Sequence, residues 1–310
     1  MEGRFGSPFD AVVFAGGGCR CFWQAGFWSV ARPVLGIEPR VVAGVSAGAA
    51  FACSALAGTG ERVLADFKHR SAANARNVYP RNVLGSEPVF PHERMYRGTI
   101  ADNIDEAGFE RLRGGPELRF LIARPPSWLG ARSGMVVGIV AGLLNARERR
   151  VHARWGNHFG FKPEVVSVQS CRNAQELADL ILHSSCTPPV VPLYRRGRRI
   201  VLDGGLLDNA PASLVGRAQS TLVLLTRHYG ERKTPRVPGR TYVQPSRRVP
   251  IAKWDYTSPD LIQQTYDLGR RDGEAFARSF EGWHEDPRAG LEENRQMSFA
   301  RPSLAEALVR

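Results

Sequence analysis

Residues 43–48 read Ala43-Gly44-Val45-Ser46-Ala47-Gly48, or AGVSAG. A β-rich apolar run, Arg40 to Val45, leads into this stretch, and a small-residue run, Ala47 to Ala57, leads out of it. Strand, tight turn and helix in that order make Gly-x-Ser-x-Gly a nucleophile elbow. The reason is steric: the turn lifts the Ser46 hydroxyl clear of the sheet edge. It closes only if the residues two before and two after are tiny, and here they are Gly44 and Gly48. The following helix points its N-terminus at the hydroxyl and favours negative charge there. Without that context the same letters describe a glycine-rich bend with an incidental serine.

The pattern repeats one unit upstream. Ala11 to Ala15 (AVVFA) has the composition of a buried strand, Gly16-Gly17-Gly18 breaks it, and Arg20 to Ala31 reads as a helix. Pro33, Gly36 and Pro39 then read as a loop. Two strand–turn–helix units in succession predict an α/β fold with parallel strands. Successive glycines turn backbone N–H groups outward as an anion nest. Beside a serine nucleophile such a nest is an oxyanion hole. The rival use, nucleotide phosphate binding, fits poorly, because GGGCRC matches neither GxGxxG nor GxxxxGK[ST]. Arg20 sets a positive charge near the nest, useful for a substrate phosphate or for shaping the loop; its plainer reading is an ordinary helix-start arginine.

Far downstream, Val201-Leu202-Asp203-Gly204-Gly205 reads as a strand end that leaves a carboxylate at a sheet edge, or simply as a β-turn aspartate. Asp208-Asn209-Ala210-Pro211 reads as the cap and first turn of another helix, with Asp208 and Asn209 structural. Elsewhere, helices are expected over Glu61 to Asn77, Gly134 to Arg150, Asn173 to Ser184 (capped by Asn173) and Pro259 to Phe280 (capped by Ser258). Strands are expected over Leu118 to Ala123, Glu164 to Gln169 and Ser220 to Thr226. A hairpin over Val190 to Leu202 turns at Arg195 to Arg198. Tyr79 to Gly115 reads as loop-rich. Residues 1–285 are taken as one domain and 286–310 as a polar, poorly ordered tail.

Composition narrows the functional classes. The 310 residues carry 42 Lys+Arg against 30 Asp+Glu, a net charge of +12. That charge reads either as attraction to an anionic partner, a membrane surface or a nucleic acid, or simply as an arginine-rich composition. The basic runs RERR (Arg147 to Arg150) and RRGRR (Arg195 to Arg199) come with no nucleic-acid-binding motif, so nucleic acid is not expected. Met135 to Leu144 is apolar and runs into RERR, the pattern of an interfacial helix; a buried core helix is the competing reading. At about ten residues it is well short of the roughly 20 that span a bilayer. The hairpin tip at Arg195 to Arg199 leads into Asp203 and is expected to flank the mouth of the site. The five cysteines form no zinc-ligand spacing, and Met1 to Phe5 opens no apolar leader, so a reducing, cytoplasmic setting with at most peripheral membrane contact is expected. Nothing in the sequence fixes the oligomeric state.

Four motifs in order, GGGCR (Gly16 to Arg20), GVSAG (Gly44 to Gly48), SSCTPPVVP (Ser184 to Pro192) and DGG (Asp203 to Gly205), resemble the patatin-like phospholipase family over about Ala11 to Pro211. The resemblance implies a three-layer fold with a central, mostly parallel sheet flanked by helices. It also implies a Ser–Asp dyad, with Ser46 as nucleophile, Asp203 as base, and the amides of Gly16, Gly17 and Gly18 holding the oxyanion. The implied reaction is metal- and cofactor-free hydrolysis of an acyl ester in a phospholipid or related lipid, of the phospholipase A or lysophospholipase kind. One departure is Cys21, where the family has glycine; its β-carbon is expected to narrow the loop or shift the nest. A carboxylate free in water, with pKa about 3.9, is a poor base at neutral pH, so a dyad calls for a buried aspartate. Two rivals remain. One is a Ser46–Asp203–His228 triad, whose chain order fits an α/β-hydrolase. The other is a catalytically silent lipid-binding protein on the same fold. The remaining histidines read as surface or packing residues, and Cys19 and Cys21 as inert.

Overall fold

The computed structural model describes residues 7–148, 150–230 and 233–285. The tail expected at 286–310, and Arg149 of the RERR run, lie outside the described residues.

The alternation of apolar runs with glycine breaks produces the expected core. Strand β1 (Ala11–Phe14) lies between β2 (Val41–Val45) and β8 (Thr221–Leu224), parallel to both. Beyond β2 comes β3 (Glu117–Arg124), also parallel, and beyond β8 comes β9 (Arg240–Val243). The edge strand β4 (Lys162–Ser167) runs antiparallel to β3. A short β7 (Leu202–Asp203) completes the seven strands of this sheet among the described residues, also antiparallel to β3. Strands β5 (Arg195–Arg196) and β6 (Arg199–Ile200) form a separate two-stranded hairpin.

The register of β3 positions the site. Val45, the last residue of β2, pairs with Leu121. The next residue of β3, Ile122, pairs with Asp203. Strand β7 therefore takes over the β3 edge where β2 stops. The turn after Val45 and the strand end at Asp203 are thereby brought to one place.

Alternation along β1 sends Val12 and Phe14 to one face and Ala11 and Val13 to the other. The larger core lies on the first face, under α1 (Phe22–Leu35), α2 (Ala47–Ala57), α3 (Gly60–Ala72), α8 (Ala174–Ser184) and α9 (Pro259–Glu285). The second face is thinner; there the small side chains pack on Ala210, Ala212 and Val215. Helices α1 and α9 cross closely: a β-carbon on Gly269 would lie 2.1 Å from the Trp23 carbonyl oxygen. Beside this crossing, Trp23 Nε1 donates to the buried Asp272 at 2.7 Å.

Several elements differ from expectation. Helix α1 begins at Phe22, after a 3-10 turn over Gly18–Cys21, and runs through Pro33 to Leu35. Pro33 sits in the last turn, and Gly36 ends the helix in the left-handed region. The stretch read as loop-rich contains α4 (His92–Asn103) and α5 (Glu106–Arg113). Residues 208–211 do not open an α-helix. The Asp208 carboxylate accepts from Ala210 N–H, and only a 3-10 turn over Ala212–Val215 follows, with Pro211 at its start. Helix α6 (Ala131–Glu148) is not a core helix. It buries only Gly134, Gly138 and Ala141, and Val136, Ile139, Val140 and Leu143 remain exposed. A short α7 (Trp155–His158) follows.

Candidate active site

Ser46 has φ 55° and ψ −138°, and it is the non-glycine residue with positive φ among those described. A side chain held there is strained, and an elbow imposes that strain. The small neighbours are required by contact. A β-carbon on Gly48 would lie 2.4 Å from the Phe14 carbonyl oxygen, and one on Gly44 would lie 2.9 Å from the Ala49 Cα. The Ser46 N–H donates to Ser184 Oγ at 2.9 Å, and that hydroxyl donates to the Leu121 carbonyl at 2.8 Å. Ser184 thus ties the elbow to β3.

Ser46 Oγ donates to Asp203 Oδ2 at 2.7 Å. Both residues are buried, 4 % and 5 % exposed. Two further donors orient the carboxylate: Gly205 N–H reaches Oδ1 at 2.7 Å, and Thr187 Oγ1 reaches Oδ2 at 3.1 Å, its one proton shared with the Ser185 carbonyl, also 3.1 Å away. His228 is not brought here. It is exposed, and its Nδ1 lies 2.9 Å from the Pro245 carbonyl.

The glycine loop passes over the nucleophile, since a β-carbon on Gly16 would lie 3.2 Å from Ser46 Cβ. Its amides are not equivalent. Gly16 N–H already donates to the Asn209 carbonyl at 2.9 Å. The N–H groups of Gly17 and Gly18 carry no hydrogen bond to the described residues. Gly18 has φ +58°, and a β-carbon on it would collide with the Lys253 carbonyl oxygen at 2.2 Å. The Gly16 carbonyl is pinned by Asn209 Nδ2 at 2.9 Å and Thr226 Oγ1 at 2.8 Å, and Cys19 N–H donates to the Lys253 carbonyl at 3.1 Å. Asn209, read from sequence as structural, is therefore a support of this loop. Asp208, besides its bond to Ala210 N–H, contacts His152.

Cys21 does not disturb the nest. Its side chain is fully buried, pointing at the Ala15 carbonyl, with Sγ 3.6 Å from the oxygen. Burial pushes the thiol up to about 12 and that of Cys19 well above its usual range, so both thiols stay protonated. Arg20 Nε donates to the Gly17 carbonyl at 3.3 Å. Burial, and then the nearby Arg227 charge, bring the Arg20 guanidinium down to about 10.

A cavity of about 290 Å³ opens at Asp203. Its lining includes the apolar Met135, Ile139 and Leu143 of α6 with Leu202 and Leu206, and the polar Glu148, Arg150, Arg227, Tyr229 and Lys253. None of Arg195 to Arg199 lines it. Arg196 instead pairs with Glu164, as does Arg124. A second cavity, touching the glycine loop at Gly18 and the elbow at Ala47, is only about 40 Å³, room for a few waters.

Sequence motifs found Ser46, Asp203 and the glycines. They did not single out Ser184, Thr187, Asn209 or Thr226, although the SSCTPPVVP stretch contains the first two.

A search of curated proteins returns no match. Among solved structures, VipD from Legionella pneumophila is similar at 11% sequence identity, over 88% of this chain and 67% of that one, with a TM-score of 0.46. A scan against protein families matches residues 12–215 to patatin-like phospholipase. With the elbow, the glycine loop and the aspartate all inside that match, the chain belongs to the patatin-like phospholipase family, a family of lipid acyl hydrolases.

Proposed function

We propose that this protein hydrolyses an acyl ester of a phospholipid or related lipid with a Ser46–Asp203 dyad. The observation that carries the proposal is the 2.7 Å hydrogen bond from Ser46 Oγ to Asp203 Oδ2 at a strained, buried elbow. As Oγ bonds to the acyl carbon, its proton passes to Asp203. The carbonyl oxygen, now an oxyanion, takes the free N–H groups of Gly17 and Gly18. Gly16 supports the loop rather than the oxyanion, because its N–H is already engaged. Collapse breaks the ester C–O bond, and the leaving alkoxide takes the proton back from Asp203. Water, deprotonated by Asp203, then repeats the sequence on the acyl-enzyme and regenerates Ser46. The 290 Å³ cavity, with its apolar α6 wall, is the natural place for substrate; the 40 Å³ one is too small. The proposal includes contact with an anionic membrane surface through the exposed apolar face of α6, next to that cavity.

Incubation with a mixed lipid panel, with released fatty acids and lysolipids read by mass, tests this. Folded Ser46→Ala and Asp203→Asn proteins are expected to lose hydrolysis, and His228→Ala to retain it. Full activity in either dyad variant would remove the mechanism. A fluorophosphonate probe is expected to label Ser46; its failure to do so would favour a silent lipid-binding protein.

A further inference from the structure

Three cations gather around the glycine loop without an ion-pair partner. Arg20, Arg227 and Lys253 form no ion pair among the described residues, although Arg70, Arg97, Arg119, Arg124 and Arg172 each do. Arg227 Nε is shut off from solvent and has no hydrogen-bond partner. A buried guanidinium N–H left unpaired is costly, and such groups are retained where something else pairs them. Arg227 and Lys253 line the same cavity as Asp203. Each is built onto the glycine loop. Arg227 follows Thr226, which pins the Gly16 carbonyl, and the Lys253 backbone carbonyl receives Cys19 N–H. The Lys253 stem passes over Gly18, with Cγ 2.8 Å from where a β-carbon would stand, and its Nζ lies 4.5 Å from the Trp254 ring centroid. The two charges are thus held in fixed relation to the amides proposed to bind the oxyanion. They share that cavity with the apolar side chains of Met135, Ile139, Leu143, Leu202 and Leu206, a lining that suits an acyl chain ending in an anionic group; the other charges lining it, Arg150 and Glu148, pair with each other.

We propose that Arg227 and Lys253 form a phosphate-headgroup subsite, so that the enzyme selects acyl lipids bearing a phosphate over neutral acylglycerols. Arg20 stands behind them as a third positive charge. Mutual repulsion agrees with this geometry: burial, followed by Arg227, lowers Arg20, and burial, followed by Arg20 and Arg227, lowers Lys253 against the opposing pull of Asp203. A bound phosphate relieves that repulsion.

The inference rests on the hydrolase proposal for the identity of its ligand, but its test does not require turnover. In a Ser46→Ala background, affinity is measured for a monomeric, short-chain, ether-linked phospholipid analogue and for its dephosphorylated counterpart. Arg227→Gln and Lys253→Gln are each expected to weaken the phosphate compound about tenfold or more relative to the dephosphorylated one. Arg227→Lys is expected to recover part of the loss, and Arg217→Gln, an exposed charge elsewhere, to change neither ligand. Equal loss for both ligands, or loss for neither, would overturn the subsite. Inorganic phosphate binding as tightly as the lipid analogue would overturn the headgroup assignment in favour of a free-phosphate site. If the dyad variants retained hydrolysis while these affinities behaved as expected, only the catalytic mechanism would fall.

Discussion

Three donors fix the Asp203 carboxylate: Gly205 N–H on one oxygen, and the Ser46 and Thr187 hydroxyls on the other. Thr187 touches the carboxylate and not the serine, so it acts as a positioning residue. Thr187→Val keeps the shape and removes the donor. It is expected to lower kcat about tenfold with little change in KM, and Thr187→Ser to restore it. A rise in KM alone would place Thr187 in substrate binding instead. The contrast between Ser46 and Thr187 shows what a sequence exposes. Ser46 announces itself because its constraint is local: a turn with φ 55° needs glycines two residues away on either side. Thr187, Ser184, Asn209 and Thr226 act on partners far along the chain, and a hydroxyl or amide leaves no mark of which distant carbonyl it will meet. Cys21 is the opposite case. At this local departure from the family pattern the side chain turns into the core, toward the Ala15 carbonyl.

The α1–α9 crossing offers a case where two effects of one substitution oppose each other. Replacing a mid-helix glycine with alanine is worth up to about 1 kcal/mol in helix propensity. At Gly269 the added carbon would stand 2.1 Å from the Trp23 carbonyl oxygen, so the helices must separate. Overpacking of this kind costs about 1–3 kcal/mol. Gly269→Ala is therefore expected to lower stability in urea unfolding, and a stabilised protein would show that the crossing yields easily. Elements are legible where apolar periodicity is strong, as at β1, β2, α2 and α8, the last with Asn173 accepting from Glu176 N–H as its cap. Helices α4 and α5 escape a sequence reading because their buried sets are sparse. Met95, Tyr96, Thr99 and Ile100 do form a helical stripe, and Asp105 caps α5 by accepting from Gly108 N–H, but charged residues crowd both. In α6 Gly134, Gly138 and Ala141 are buried while Val136, Ile139, Val140 and Leu143 are exposed, which composition alone does not reveal.

The net charge of +12 and the apolar face of α6 together set the expected behaviour at a lipid surface. Leu143 is 67% exposed, Val136 55%, and Trp128, just before the helix, 80%. No helix among the described residues is long and apolar enough to cross a membrane, so contact of this kind is lateral. Cosedimentation with vesicles containing an anionic phospholipid is expected to fall as salt rises from about 0.1 M to about 1 M, where the screening length shrinks from ~10 Å to ~3 Å. A Val136→Ser/Val140→Ser protein is expected to bind less at every salt concentration; undiminished binding would remove α6 from the contact. The sharing of β3 between β2 and β7 has a consequence in time. Ser46 and Asp203 are 157 residues apart and meet only because Leu121 and Ile122 hold their strands side by side. At roughly 5–20 residues per second of synthesis, a growing chain carries its serine for many seconds before the aspartate exists. On the dyad proposal, an unfinished chain is harmless to the membranes around it until β7 brings Asp203 to the β3 edge and arms it.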